Sequence, residues 1–261
     1  MTQLSGIPVS YWIDSTNSQS LVSCGSDALN GVSIDVAIIG GGIVGITAAT
    51  LLKRTGKTVA VIEAHRMAAG VSGHTTAKVT SLHQLIYSEL IKNLGEDKAK
   101  LYAESNQEGI EQVAAFVQEE GIDCDFKRTD CYTFAESKDS LTKVEAEVEA
   151  AIKLGLPASF ASTTSLPFEV LGAVKFTNQA EFHPRKYLLH LASNIPGNGS
   201  YLFEGARVEK VEEGEPCRVS TAQGTLMAKK VLVSTHSPIL NKGAILCQVL
   251  SVTHLHCRSL G

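Results

Sequence analysis

Three glycines and one carboxylate carry the most legible chemistry in this chain. Gly40, Gly42 and Gly45 stand in the pattern Gly-x-Gly-x-x-Gly, and Glu63 follows 23 residues after the first. The apolar run Ser33–Ile39 precedes the glycines, and a helix-compatible run from Ile43 to Arg54 follows them. In that setting Gly40 permits a tight turn, Gly42 lets a diphosphate approach bare backbone, and Gly45 lets helix and strand pack closely. Gly41 adds further room. The amides at the helix start, with the helix dipole, hold an anion. Glu63 ends a second apolar run, Lys57–Glu63, where a carboxylate accepts hydrogen bonds from both hydroxyls of an adenosine ribose and repels a 2′-phosphate. A lone glycine pattern is weak. With a strand before it and a helix after it, the pattern marks a dinucleotide-binding unit, without choosing between FAD and NAD.

These residues require a strand, a helix and a second parallel strand to position them. Ser33–Ile39 and Lys57–Glu63 read as buried strands, and Gly56 is placed to stop the helix between them. Lys53 and Arg54 lie near the negative end of that helix. Such a crossover is right-handed by default. Helical periodicity dominates the middle of the chain. Ile110, Val113 and Val117 share a face in the segment from Glu96 to Glu120, and Leu141, Val144, Val148 and Ile152 share one in the next. Gly121 and Gly155 mark their stops. Phe126–Phe134 and Ala173–Thr177 have strand character, and His183-Pro184 opens a helix running to about Asn194. Short strand-like pieces follow at Ser200–Phe203, Ala206–Val211, Cys217–Thr221 and Thr225–Ala228, and Lys230–Thr235 reads as another buried strand.

Composition bounds the reading. The chain has 261 residues, 44% hydrophobic and 19% charged, with a net charge of −4. That balance suits a folded core and gives no basic footprint for nucleic acid. No apolar run is long enough to span a bilayer. The N-terminus lacks a basic region followed by an apolar one, so a secretory leader is not expected. Six scattered cysteines without a CxxC pair suit a reduced, cytoplasmic protein. Residues 1–30, rich in Ser, Asn and Thr, read as a surface extension in which Tyr11, Trp12 and Ile13 dock on the body.

The residues after Glu63 narrow the cofactor. Glu63-Ala-His-Arg66 is followed by Met67-Ala-Ala-Gly70-Val-Ser72-Gly73-His74-Thr75-Thr76-Ala77-Lys78. This run resembles the D-amino-acid oxidase/glycine oxidase superfamily of FAD-dependent oxidoreductases. Ile122-Asp-Cys-Asp-Phe126, Leu154-Gly-Leu-Pro157 and Asn178-Gln-Ala-Glu-Phe-His183-Pro-Arg-Lys-Tyr187 are similar to a bacterial branch whose members carry a C-terminal Rieske iron–sulfur domain. The resemblance runs from about Ser10 to about Pro238. It implies an α/β fold, with a Rossmann-like FAD-binding βαβ domain and a mixed α+β substrate-domain insert. The expected divisions are an extension at 1–32, a discontinuous FAD-binding domain at 33–85 and 198–243, an insert at 86–197, and an aberrant tail at 244–261.

The resemblance also implies a set of FAD contacts. Gly40, Gly42, Ile43, Val44 and Gly45 fall on the pyrophosphate loop, and Glu63 with Ala64 falls on the ribose side. Arg66, Ser72, Thr75 and Thr76 fall where the family meets phosphates or the flavin side. Val208 falls where backbone groups are offered to adenine. Thr235 falls near a cofactor turn, although His236 stands where glycine is usual. The implied reaction is oxidation of an amine or amino-acid-like small molecule, with hydride passing to flavin N5 and electrons passing onward to an acceptor. No catalytic residue is assigned. The alternative is a catalytically inactive dinucleotide-binding fragment, or a subunit completed by a partner chain.

Several residues invite sharper readings. His74 is taken as a hydrogen-bonding loop histidine rather than a point of flavin attachment. His183 reads as a helix-opening residue, with a role as a base as the alternative. Arg185 and Lys186 read as a solvated helix face, with a grip on a substrate carboxylate as the alternative. Lys78 reads as structural. Cys247, His254, His256 and Cys257 match no zinc or Rieske spacing, so no metal is expected. From about Gly243 the chain leaves the family pattern, and the sequence reads as C-terminally truncated.

Overall fold

The computed structural model describes residues 9–16, 21 and 26–236. In chain order, the first stretch holds α1 (Tyr11–Asp14), a 3-10 turn at Ser26–Leu29, β1 (Ser33–Ile39), α2 (Ile43–Arg54), β2 (Val59–Ile62) and a 3-10 turn at Val71–Gly73. Then come β3 (Lys78–Val79), α3 (Tyr87–Leu94), α4 (Glu96–Glu119), β4 (Lys127–Ala135), α5 (Lys138–Lys153), β5 (Ala158–Ala161) and β6 (Gly172–Glu181). The last stretch holds α6 (Pro184–Ser193), β7 (Tyr201–Phe203), β8 (Val208–Glu212), β9 (Cys217–Thr221) and β10 (Gly224–Val233). The chain divides into two compact units. The second is Thr76–His183, and the first is formed by the residues on either side of it.

The first unit is built on a six-stranded sheet in the order β7-β2-β1-β10-β9-β8. β7, β2, β1 and β10 run parallel, while β9 is antiparallel to both β10 and β8. All four residues of β2 are buried, as a parallel strand covered on both faces requires. Ile39 pairs with Ile62 and Val233, and Ile62 pairs with Phe203, so four parallel strands end in one row. That row is the carboxyl edge, where open α/β sheets place their ligands. Helix α2 turns Gly45, Ile46, Ala49 and Thr50 inward.

The compact units divide at 75/76 and 183/184, where the sequence suggested 85/86 and 197/198. Helix α6, expected in the insert, belongs to the first unit: Lys53 Nζ donates to Asn194 O (2.8 Å) and Ile195 O (2.7 Å) just beyond its end. Residues 76–85 join the second unit because β3 pairs with β6. The two strand-like pieces Thr225–Ala228 and Lys230–Thr235 are one strand, β10, whose first half pairs with β9 while the remainder pairs with β1. Lys229 and Lys230, which break the apolar run, are exposed within it, and Lys229 Nζ meets Asp35 Oδ1 at 2.8 Å. The polarity change marks a solvent-facing stretch, not a turn. Leu29 and Thr16 are fully buried, so residues 1–30 are not wholly a surface extension.

The second unit packs α3 and α5 on a four-stranded antiparallel sheet. β6 is its centre, with β4 along one side and β3 and β5 along the other. Tyr87, Val144, Ala151, Val174 and Phe176 fill the core. The inward stripe of α5 runs through Val144, Glu147, Val148 and Ala151, so Ile152 faces out at 55% exposure. Helices α4 and α5 stop within two residues of Gly121 and Gly155, as expected. The sequence reading did not foresee α3. Its first amides, Tyr87 N and Ser88 N, donate to the buried Glu147 carboxylate at 2.8 and 3.0 Å. That cap comes from a residue 60 positions later in the chain.

Candidate nucleotide-binding site

The chain leaves β1 at Gly40 with φ +112°, a conformation that suits glycine. A Cβ there would lie 2.7 Å from Ser234 O. Ser234 Oγ donates to Ile39 O (2.9 Å) and lies 3.2 Å from Gly40 O, so the end of β10 clasps the turn. A Cβ on Gly45 would run into the Gly40 carbonyl oxygen, which is the close helix–turn packing expected from the sequence. Gly41 does not add room. A Cβ there would run into Met67 Sδ and lie 3.0 Å from Glu63 Cβ. Its amide instead donates to Glu63 Oε2 at 2.8 Å.

Glu63 therefore turns toward the glycine turn. Its Oε1 accepts the His65 amide at 2.8 Å. Its backbone is fixed on both sides, with Glu63 N donating to Phe203 O and Glu63 O accepting from Ala206 N, each at 2.9 Å. A half-buried carboxylate thus stands at the end of β2, beside the turn that ends β1.

The first turn of α2 is open. Gly42 caps it without a side-chain hydrogen bond. Ile43 N donates to Ser72 Oγ at 2.9 Å, and the amides of Val44 and Gly45 find no acceptor among the described residues. Ile43 and Val44 are 43% and 56% exposed, so an anion can reach this helix end. A Cβ on Gly42 would lie 3.1 Å from Ser72 Oγ, so the glycine turn and the 3-10 turn approach closely here. Open donors, a positive helix end and a neighbouring carboxylate suit the diphosphate and ribose of a dinucleotide.

The structure brings Gly40, Gly42, Ile43, Val44, Gly45, Glu63 and Ser72 together around this turn. Ala64 is half-buried next to Glu63, and Arg66 is exposed two residues further on. Thr235 directly follows Ser234, which places it at the same sheet edge. Val208 opens β8 two residues past Ala206, the partner of Glu63 O. Thr75 is half-buried, and its carbonyl accepts from Trp12 Nε1 at 2.8 Å. Thr76 is exposed and belongs to the second unit. His74 Nδ1 lies 2.8 Å from Gly70 O, as a hydrogen-bonding loop histidine would. The sequence reading passed over Gly41 as a ligand of Glu63, and over Ser234. The Gly40-Gly-Gly42 triplet was the available signal for the first, and nothing local marked the second.

The remaining candidates sit elsewhere. Arg185 is 4% exposed rather than on a solvated helix face, and it donates through Nη1 to Thr16 O at 3.1 Å and to Thr16 Oγ1. Burial, with the Arg66 charge nearby, pulls its guanidinium below the usual range, and Glu204 opposes this. His183 is buried, with its amide donating to Cys124 O at 2.6 Å. Lys78 is exposed on β3. Cys124, Cys131 and Cys217 are in no disulfide among the described residues. No group of three metal-binding side chains occurs among the described residues, and the cysteines and histidines of the tail lie outside them.

Comparison with known proteins decides the family. The model of the FAD dependent oxidoreductase (DAO) family matches residues 35–250. The chain belongs to that family. FAD is the family's cofactor, and the open helix end beside Glu63 lies within the matched stretch of this DAO-family chain. Among curated relatives, YhfW of Bacillus subtilis, which bears the name of a Rieske 2Fe-2S iron–sulfur protein, is 34% identical over 239 residues, covering 91% of this chain and 46% of the relative. Gamma-glutamylputrescine oxidoreductase of Escherichia coli is 26% identical, covering 83% of this chain and 52% of the relative. The chain thus spans about half the length of the curated relatives it matches. The fold is that of glycine oxidase from Geobacillus kaustophilus, with a TM-score of 0.60 at 17% identity over 78% of this chain and 55% of that one. These likenesses bear out the resemblance read from the sequence, the Rieske-bearing relative included. No described helix is long and apolar enough to cross a membrane.

Proposed function

We propose that this DAO-family chain carries the FAD-binding part of an oxidoreductase that oxidises an amine or an amino-acid-like small molecule. The observation that carries the reading is the open first turn of α2, where the Val44 and Gly45 amides find no acceptor among the described residues and Glu63 is held beside them. In this reading the turn from Gly40 to Gly45 holds the diphosphate, Ser72 supplies a hydroxyl to it, and Glu63 grips the ribose. The start of β8 at Val208 lies on the adenine side, and Arg66, Thr75, Thr76 and Thr235 extend the site. Flavin held by these residues would supply the redox chemistry as a two-electron acceptor for a C–H bond next to the substrate nitrogen. The neighbours' names support the substrate class: a glycine oxidase, an L-amino acid deaminase and a gamma-glutamylputrescine oxidoreductase act on amino or amine compounds by title. The first unit is the FAD-binding domain and the second, Thr76–His183, the substrate domain. An electron acceptor completes the cycle, and YhfW's name points to an iron–sulfur centre as one class. Scattered cysteines, with Cys131 and Cys217 outside any disulfide among the described residues, fit a reducing compartment such as the cytoplasm.

The test is to purify the chain, record its visible spectrum with added FAD, and follow anaerobic bleaching with a panel of amines and amino acids. A flavin spectrum bleached by members of the panel supports the reading. A flavin spectrum that no amine or amino acid bleaches overturns the substrate class, and failure to retain FAD overturns the cofactor assignment.

A further inference from the structure

The segment before β1 is tied to the cofactor-side loop by polar contacts of long sequence range. Ser10 Oγ donates to Gly73 O at 2.5 Å, and Trp12 Nε1 donates to Thr75 O at 2.8 Å. Gly73 is buried against Ile13, whose Cγ1 would lie 3.2 Å from a Cβ at that position. Thr16, fully buried, is gripped through its carbonyl and hydroxyl by the buried Arg185 of α6. The loop held in this way carries Ser72, and Ser72 Oγ is the group that reaches the Ile43 amide at the first turn of α2. All these residues lie in the first unit.

We propose that Ser10–Thr16 is a strap that sets the position of Ser72 against the diphosphate-binding turn, with Ser10 and Trp12 as its positioning residues. The inference rests on the FAD-site reading. Two short carbonyl contacts, at Gly73 and Thr75, fix the loop at its downstream end, while Arg185 anchors the strap's own end in the core. Ser10 and Trp12 reach the loop through the Gly73 and Thr75 carbonyls. Their effect passes through Ser72, and it falls on ligands that carry a diphosphate. A loop free of the strap must be ordered by the ligand itself, and the free energy spent on ordering is lost from affinity.

The strap is tested by ADP and adenosine titrations of the full chain, comparing wild type with the Ser10→Ala/Trp12→Phe double variant. Ser10→Ala removes the hydroxyl donor, and Trp12→Phe removes the indole N–H with part of the ring. The expected result is a loss of about tenfold in ADP affinity, from two hydrogen bonds of ordinary net worth, with adenosine affinity unchanged. Amide hydrogen exchange at 71–75 is expected to quicken in the variant, while exchange in β1 and β2 stays as it was. Trp12 is the only tryptophan of the chain, so wild-type emission is expected to respond to ADP and not to adenosine. Equal ADP affinity in both proteins, or parallel loss of ADP and adenosine, overturns the strap alone. A wild type that binds neither ADP nor FAD overturns the nucleotide site and the strap with it.

Discussion

The two units treat the open ends of their helices in opposite ways. In Thr76–His183, the buried side chains of Glu147 and Gln179 find their partners inside the unit. Glu147 takes the Tyr87 and Ser88 amides, and Gln179 Oε1 accepts from Thr80 Oγ1 (2.9 Å) and Ser81 N (2.8 Å). Tyr87 donates its hydroxyl to Ser81 O at 2.6 Å, and burial pushes that hydroxyl above its usual range. At the carboxyl edge of the first unit, two amides of α2 find no acceptor among the described residues, beside a carboxylate. Buried groups that are satisfied internally hold a fold together, whereas open donors at an exposed helix end await a ligand.

The comparison breaks first at Gly45. Gly45→Val drives a side chain into the Gly40 carbonyl, and we expect loss of measurable FAD binding together with destabilisation of roughly 3 kcal/mol, read by titration and urea unfolding. Next is Glu147→Ala, which leaves one buried and one half-buried amide without that acceptor. It is expected to cost about 2–4 kcal/mol in urea unfolding while FAD affinity, a property of the first unit, falls by less than the Gly45 change. Glu63→Gln keeps shape but gives up a charged acceptor for ribose hydroxyls. FAD affinity is expected to drop about tenfold by isothermal titration, and stability to fall by about 1–2 kcal/mol in urea unfolding, because the new NH2 faces one of the two amides that Glu63 accepts. The smallest effect belongs to Asp35, whose carboxyl the Lys229 ammonium, with help from Thr58, holds well below the usual carboxylate range. A depressed folded value means that this contribution is present above the unfolded value of about 4 and is lost as pH falls through the folded one. In Lys229→Met the Asp35 titration, followed by NMR, is expected to move up toward the ordinary value.

What could be read from the sequence was what lies close along the chain. β1, the glycine turn and α2 were legible together, because apolar runs and glycine spacing are local signals. The bounds Ile43–Arg54 and Ser33–Ile39 stand in the structure as read. Helix α3 was missed because it is short and its cap comes from Glu147, far along the chain. Arg185 was misplaced because α6 turns it toward Thr16, a partner 169 residues away. The unbroken run of β10 was hidden by Lys229 and Lys230, whose charges sit on the outside of one strand. At the site, the glycines and Glu63 were named in advance. The clasp by Ser234, the amide of Gly41 on Glu63 and the anchoring of the loop by Ser10 and Trp12 all depend on chain segments meeting in space.

The most direct test is amide NMR of the labelled chain on addition of FAD. If the open helix end is the diphosphate site, the Val44 and Gly45 amide protons shift downfield on binding, and the Tyr87 and Ser88 amides, already paired with Glu147, stay where they are. Saturable FAD binding that leaves Val44 and Gly45 unmoved would contradict it.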